Sequence, residues 1–290
     1  GLQRIEPLVP LGGRFLEVHV LADPARVSFR EETWLDRGYH AAPPEGSLRT
    51  GDRLLDRIWS AGVETYRACA EDAIVDNPTR ERGAWTGDAV AAGMEIAATA
   101  YSDARLAARS LRQAAWTARE DGLIPGMAVG DPIFIPSYAA AWVSGCLRQT
   151  ELTGDRDLLR ELFPHAERNA DAFARQIGDD GVRDGLGWSF IDWGYVRNDG
   201  PADIALNLHV VAMLRDLERW CRLIGRDDRV ARYRDLERRV AGAVGRWLEA
   251  RRAEGPAGWE KIGYHAAALG LRAGFFDAPD AEAQAVAFLR

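Results

Sequence analysis

The chain has 290 residues, 47% hydrophobic and 28% charged, with a formal charge of −7 and a pI near 5.4. That length suits one large domain or two, and the proportions are those of a folded soluble protein, which excludes a disordered tail. The acidic balance excludes the basic stripe of a general nucleic-acid binder, and no run of roughly 18 apolar residues offers a membrane span.

Residues 14–29, "RFLEVHVLADPARVSF", alternate apolar and polar side chains between Gly and Pro boundaries. That period of two predicts strand, turn, strand. The stiff stretch "AAPPEGS" marks a boundary near residue 45. Beyond it the pattern is helical, in pairs. "GDRLLDRIWSAGVETYRACAED" places Leu54, Leu55, Ile58, Trp59, Val63 and Tyr66 at helical spacing. A loop over 72–87 interrupts. "DAVAAGMEIAATAYS" follows, small and apolar enough to be buried on most sides. A more polar helix, "DARLAARSLRQAAWTARE", leads into a Gly/Pro-rich loop over 122–137. "YAAAWVSGCLRQTELTG" is apolar and ends on a glycine stop.

"DRDLLRELFPHAERNADAFARQIG" opens on an Asp cap, and its Pro164 predicts a kink or break. A second long loop, 178–201, holds Trp188, Trp193 and Tyr195 at alternate or near-alternate positions, as a hairpin with one aromatic face would. Such a face serves either the core or a carbohydrate subsite. The helical pattern resumes in "ADIALNLHVVAMLRDLERWCRLIG" and "DDRVARYRDLERRVAGAVGRWLEARR". It continues in "IGYHAAALGLRAG" and "APDAEAQAVAFLR". Buried helices thus alternate with polar ones, and the long aromatic loops fall between pairs. That is the plan of an (α/α) toroid, with an α-solenoid of hairpins as the alternative. No repeat of fixed period is present, which disfavours the solenoid. About nine helices are countable, against twelve for six hairpins, so the toroid is expected to be incomplete at the C-terminal end.

Cys69, Cys146 and Cys221 are far apart without zinc spacing and read as buried thiols. His209 and His265 lie on apolar stretches and read as core or rim histidines, in no metal motif. No metal or cofactor is expected. Basic residues are almost all Arg, with Lys261 the only lysine, as codon bias in a GC-rich genome produces. No signal-peptide pattern is visible, which sets the expectation of a cytoplasmic protein.

The chemistry concentrates in "DNPTRERGAWTGD", Asp76 to Asp88. Pro78 keeps Asn77 extended, so the stretch is a loop there. Glu81 sits between Arg80 and Arg82, which fits a solvated ion-pair cluster as well as a carboxylate set. Trp85 beside Gly83 and Gly87 offers a flat apolar face with close backbone approach, as a sugar ring requires. Asp88 opens a helix, either as first-turn charge or as an acceptor for ligand hydroxyls.

This stretch resembles the bacterial α-L-rhamnosidases, the family 78 glycoside hydrolases, whose usual segment reads Asp-Cys-Pro-x-Arg-Glu-Arg-Leu-Gly-Trp-x-Gly-Asp. Asp76, Pro78, Arg80, Glu81, Arg82, Trp85, Gly87 and Asp88 stand at matching positions. "GLIPGM", "IPSYAAAWV", "FIDWGYV" and "ALGL" extend the resemblance, over roughly residues 14 to 290. It implies the end of a β-sandwich-like domain and linker at 1–45 and an (α/α)6 toroid at 46–290. It also implies hydrolysis of terminal α-L-rhamnosides with inversion. Glu81 would be the general acid, and Asp76, Arg80 and Asp88 would bind the sugar. Trp85, Tyr138 and Trp193 would line the pit, with Asp192 a further ligand-binding candidate. The substrate would be a rhamnose-containing glycoside or oligosaccharide, without nucleic acid or membrane.

An inverting acid must be protonated, so the pKa of Glu81 should be raised to roughly 6 or above. Asp76 and Asp88 would do this by like charge, with Arg80 and Arg82 turned away. Asn77, Gly83-Ala84 and Ser137 depart from the family's usual Cys, Leu-Gly and Asp. The family's general base is a Glu near a Trp late in the toroid. Glu260, beside Trp259, comes too early, so the base is expected beyond residue 290. The chain as printed then lacks half of the catalytic pair. The alternatives are a toroid glycosidase for another sugar and a carbohydrate-binding homologue that does not cleave. A toroid epimerase would want paired pit-facing histidines, for which only His209 and His265 are available. A polysaccharide lyase would show a Tyr/His/Arg set.

Overall fold

A computed structural model describes residues 15, 17–21, 23, 26–29, 38–40, 42–129, 131–179, 181–182, 186–188, 190–193 and 204–290. In chain order the helices are α1 (Arg53–Cys69), α2 (Thr86–Asp88), α3 (Met94–Ala100), α4 (Arg105–Trp116), α5 (Pro136–Thr153) and α6 (Arg156–Ala174). They continue as α7 (Ile204–Ile224), α8 (Asp227–Arg252), α9 (Pro256–Arg272) and α10 (Pro279–Leu289). A π-helical turn, Ala89–Gly93, joins α2 to α3. Taken as one segment, these leave nine helical units among the described residues, the number the periodicity predicts. A two-residue hairpin, β1 (Ile177–Gly178) and β2 (Gly181–Val182), pairs antiparallel.

The units form two layers. The α2–α3 segment, α5, α7 and α9 touch in sequence and make the inner layer. Helices α1, α4, α6, α8 and α10 each lean on an inner neighbour from outside. The sequence sets this division. Helix α5 buries Ala139, Ala140, Trp142, Val143, Gly145, Cys146 and Leu147, all small or apolar. Helix α6 buries one stripe (Leu158, Leu159, Leu162, Phe163, Ala166, Ala170, Phe173) and opens on Asp155, whose carboxylate accepts from the N–H groups of Asp157 and Leu158. Such an N-cap contributes about 1 kcal/mol. At the other end of α5, Gly154 takes φ 75, a left-handed stop that a side chain would strain.

Because each pair is antiparallel, the connections sort onto two rims. Inner-to-outer links are short. The outer-to-inner links before α2, α5 and α7 are long (70–85, 117–135 and 175–203), whereas the one from α8 to α9 is only 253–255. The long rim therefore collects the N-terminal ends of the inner helices, where backbone N–H groups point outward. At the centre, Trp142 and Trp220 are fully buried with ring centroids 6.1 Å apart, and Phe163 lies 6.3 Å from Trp220. Each indole N–H reaches a carbonyl of an outer helix, Trp142 to Leu111 and Trp220 to Leu159. Asn169, also fully buried, donates to the carbonyl of Ala139 and accepts from Ile124 N–H, fixing a rim loop to the wall. Cys69, Cys146 and Cys221 are buried thiols.

Several expectations are corrected. Pro164 does not break α6, which runs unbroken from Arg156 to Ala174. Pro164 is on the exposed face, so the carbonyl that loses its partner can turn to water. The α2–α3 segment is not buried on most sides. Ala89, Gly93, Met94, Ala97 and Ala100 are buried, whereas Ala91 and Ala92 are exposed. Among the described residues of 14–29 no strand ladder forms and the side chains are exposed, as follows when an alternating segment has no sheet to join. On α1, Leu54, Leu55 and Ile58 are 63%, 49% and 59% exposed, so this half of the predicted stripe has no cover among the described residues. Helix α9 starts at Pro256, earlier than its periodicity suggests, and is interrupted at Gly263 (φ 76, ψ 163). That φ is open to glycine and strained for other residues. Among the described residues, no helix is long and apolar enough to cross a membrane.

Candidate active site on the long rim

The loop before α2 is closed on itself by Asp76. Its N–H donates to the Gly83 carbonyl at 3.0 Å, and its Oδ1 accepts from Gly83 N–H at 2.9 Å. Asn77 Nδ2 donates to the other carboxylate oxygen. Asn77 Oδ1 also accepts from the N–H groups of Thr79 and Arg80, at 3.1 and 2.5 Å. The residue standing in place of the family's Cys thus caps the turn that presents Glu81. Arg82 sits at φ 52, a left-handed conformation that costs about 1–2 kcal/mol outside glycine. The closure at Asp76 and the ion pair between Arg82 and Glu71 hold it there.

Beyond the turn the backbone is zipped to the next loop. Trp85 bridges Met127, Thr86 N–H donates to the Gly126 carbonyl at 2.7 Å, and Ala128 N–H to that of Ala84 at 2.9 Å. The third loop rests on the second. Arg119 NH1 donates to the Leu186 carbonyl at 2.8 Å, and Trp188 N–H to that of Phe134 at 2.9 Å. Ser137, buried, donates to the Phe190 carbonyl at 2.6 Å. The position that carries Asp in many family members therefore holds a loop here, with no charge to offer a ligand.

The predicted site residues converge. Glu81 Oε2 accepts from Trp85 Nε1 at 3.0 Å. Trp85 and Tyr138 meet edge-on with centroids 6.4 Å apart, and Tyr138 meets Phe190 edge-on at 5.9 Å. Phe190 touches Trp193 at 5.1 Å and Trp188 at 4.9 Å. A continuous aromatic wall thus runs from the first loop to the third. Trp193 and Trp188 are 73% and 46% exposed, which decides for a surface rather than a core role. These rings form a cluster at a bend, not the predicted hairpin, among the described residues. Tyr195, read as part of that hairpin, lies outside them.

Gly87 lets the wall close. A Cβ there would fall 2.3–2.5 Å from three Tyr138 ring carbons, closer than any real contact. Gly87→Ala is expected to push Tyr138 out of line, cost about 1–3 kcal/mol of stability and weaken sugar binding about ten-fold. Thermal melts and calorimetric titration with L-rhamnose would show it, and unchanged binding would count against Tyr138 as a sugar contact.

Charge is arranged asymmetrically. Arg82 turns away onto Glu71, as expected, but Arg80 does not. Its NH2 lies 2.6 Å from Glu81 Oε1, because the two are adjacent on a solvent-facing turn and Arg80 is 76% exposed. Asp88 is pushed upward, first by partial desolvation although the residue keeps exposed surface, against a hydrogen bond from its own backbone, and then by the charges of Asp76 and Glu81. The Tyr138 phenol is pushed up to about 12 by burial and by Asp88 and Asp192, so both carboxylates act on the same ring. Asp88 also begins the π turn, an irregularity that concentrates at functional sites.

A raised Asp88 means that the folded protein holds a proton the unfolded chain releases near pH 4. Its contribution to stability is fullest at low pH and falls as pH rises through the raised value. Asp88→Asn removes that penalty. Its melting temperature is expected to exceed the parent's at pH 7, with the difference closing toward pH 3–4, while sugar binding falls. A lower melting temperature at pH 7 would contradict this.

His209 is held down at about 4 by burial, with Arg272 and His265 adding to it, and is neutral in the wall. His265 instead reaches the site, with Nε2 3.3 Å from Asp192 Oδ2. The apolar run around it hid this. The one local signal was Gly263, two residues earlier, which breaks α9 so that His265 sits at a fresh helix start. Glu260 is exposed and Trp259 packs on Phe276 and Phe288 (5.3 and 5.8 Å), so neither joins the site. Among the described residues no cluster of three His, Cys, Asp or Glu side chains could hold a metal.

The family model for the bacterial alpha-L-rhamnosidase 6 hairpin glycosidase domain matches residues 43–289. The match leaves out residues 14–42, over which the sequence resemblance also runs. The fold is similar to that of the GH78 family rhamnosidase of Bacillus sp. GL1, with TM-score 0.73, 21% identity, and 85% of this chain on 27% of that one. It is also similar to the Klebsiella oxytoca rhamnosidase with rhamnose bound (0.62, 20%, 85% on 56%). A third likeness is the Streptomyces avermitilis α-L-rhamnosidase complexed with L-rhamnose (0.64, 21%, 83% on 23%). The chain thus spans between about a quarter and just over half of these structures. No curated protein matches it.

Proposed function

The chain belongs to the bacterial α-L-rhamnosidase six-hairpin glycosidase family, and on that premise we propose that it cleaves terminal α-L-rhamnosides with inversion. The observation that carries the reading is Glu81, fixed by Trp85 Nε1 at the head of an aromatic wall shared with Tyr138 and Phe190. A sugar lying along that wall presents its ring to Trp85 and its hydroxyls to Asp88 and Asp192. Two of the solved structures of similar fold hold rhamnose, which supports the choice of sugar.

In the reaction the Glu81 carboxyl gives its proton to the glycosidic oxygen as the bond to the anomeric carbon breaks. Water adds from the opposite face, and its proton goes to a second carboxylate about 6.5–9.5 Å from the first. That second group is proposed to lie beyond residue 290. Asp76 is tied to Gly83 and Asn77 and acts by fixing the turn, leaving Asp88 as the carboxyl open to hydroxyls. Arg80 is exposed and is proposed to move off Glu81 when the leaving group arrives, which frees Oε1 to face the glycosidic oxygen.

One observation favours a binding role without cleavage: both carboxylate oxygens of Glu81 are engaged, one by Arg80 and the other by Trp85 Nε1. Aryl α-L-rhamnoside, α-D-mannoside and β-D-glucoside assayed in parallel separate the readings. Turnover of the rhamnoside alone is expected. Faster turnover of another sugar would overturn the specificity, and binding of L-rhamnose with no turnover of any substrate would favour the binder.

A further inference from the structure

Asp192 is an exposed carboxylate, 58% accessible, held at both oxygens. Oδ1 accepts from the Trp193 N–H at 2.7 Å. Oδ2 meets His265 Nε2 at 3.3 Å, from a helix 73 residues further along the chain. The His265 side chain is only 19% accessible, so the ring is wedged in the wall while its edge faces the carboxylate. Its Nδ1 is buried and has no hydrogen-bond partner among the described residues. A ring with its hydrogen on Nε2 donates to Asp192 and leaves a bare acceptor at Nδ1. The other tautomer would set two acceptors against each other and bury an unpaired N–H, which costs about 1–3 kcal/mol.

Asp192 is thereby fixed between Trp193, the most exposed ring of the wall, and α9, with lone pairs left over on both oxygens. An ordered carboxylate beside an exposed indole is suited to a sugar, whose C–H face stacks while its hydroxyls donate. The neighbouring Trp193 ring meets Phe190 at 5.1 Å and Phe190 meets Tyr138 at 5.9 Å, so Asp192 borders the wall that leads to Glu81. Resting on the rhamnosidase reading, we infer that His265 is a positioning residue. It holds Asp192 in the orientation that accepts hydroxyls of the bound sugar, and so brings the α9 hairpin into substrate selection.

The test is calorimetric titration of the full chain with L-rhamnose across a mutant cycle. His265→Leu is expected to weaken binding about ten-fold, equal to about 1.4 kcal/mol. His265→Gln, whose amide reaches the Nε2 position, should stay within about three-fold of the parent. His265→Asn reaches only the Nδ1 position and should lose as much as Leu. It replaces that variant should Leu fail to fold by circular dichroism. Asp192→Asn should weaken binding comparably, and adding His265→Leu to it should weaken binding no further, because His265 acts through Asp192. Losses that multiply in the double variant, or a Gln variant as weak as Leu or Asn, would overturn the positioning role while leaving the rhamnose reading intact. A parent chain that binds no L-rhamnose would overturn both.

Discussion

Glu81→Gln is expected to lower turnover of an aryl α-L-rhamnoside about 10²–10⁴-fold, the range a positioned general acid supplies, and to change L-rhamnose binding less than about three-fold. Glutamine keeps the length of the side chain and an oxygen for Trp85 Nε1, so the turn over 76–83 and its aromatic neighbour stay in place. It cannot give up a proton to a leaving oxygen. The loss should shrink with the acidity of the leaving group, because a good leaving group needs less protonation. Steady-state kinetics on a nitrophenyl and a poorer, alkyl rhamnoside would separate this from general damage. Near-normal hydrolysis of both substrates would remove Glu81 from the mechanism. The substitution also releases Arg80, which is exposed and loses little by it, since exposed ion pairs contribute about 0–1 kcal/mol.

Trp220→Ala should produce the largest loss of stability, about 3–5 kcal/mol. Trp220 lies on inner helix α7 with no exposed surface, between Trp142 of α5 and Phe163 of α6. Removing the indole leaves a cavity at the point where three helices meet, and takes away the hydrogen bond to Leu159 that pins α7 to its outer neighbour. For a chain of this size the melting temperature should fall on the order of 10 °C. Sugar binding at 25 °C should be retained, because Trp220 lies near the C-terminal end of α7, away from the N-terminal end at the long rim. A fall of less than about 3 °C would mean that the two layers hold together by other contacts.

The alternation of apolar and polar helices was legible because it is a local property. A helix buried between neighbours needs small or apolar residues around it, as α5 shows, and a helix on the outside needs one stripe, as α6 shows. Asp155 and Gly154 announce a helix start and stop by their own chemistry. Pro164 misleads because whether a proline breaks a helix depends on which side faces water. Within the site, Glu81, Trp85 and Asp88 were legible from one short motif. Their charge balance was not, since it depends on where Arg80 and Arg82 turn, which neighbouring loops decide. Asn77 stands out in the sequence only as a departure from the family's usual Cys, yet its side chain caps the turn beneath Glu81. The sequence leaves His265 as a core or rim histidine, without its partner, because Asp192 is 73 residues away in sequence. No spacing rule brings those two together. The packing of α9 against α7 does.

The central claim is that the Glu81 side of this pit protonates a rhamnoside while water arrives from the opposite face. Proton NMR during hydrolysis of an aryl α-L-rhamnoside reads this directly, through the anomer released before mutarotation. The account predicts β-L-rhamnose as the first product, with its appearance slowed about 10²–10⁴-fold in Glu81→Gln. First release of the α anomer, or β release at an unchanged rate in that variant, would contradict it.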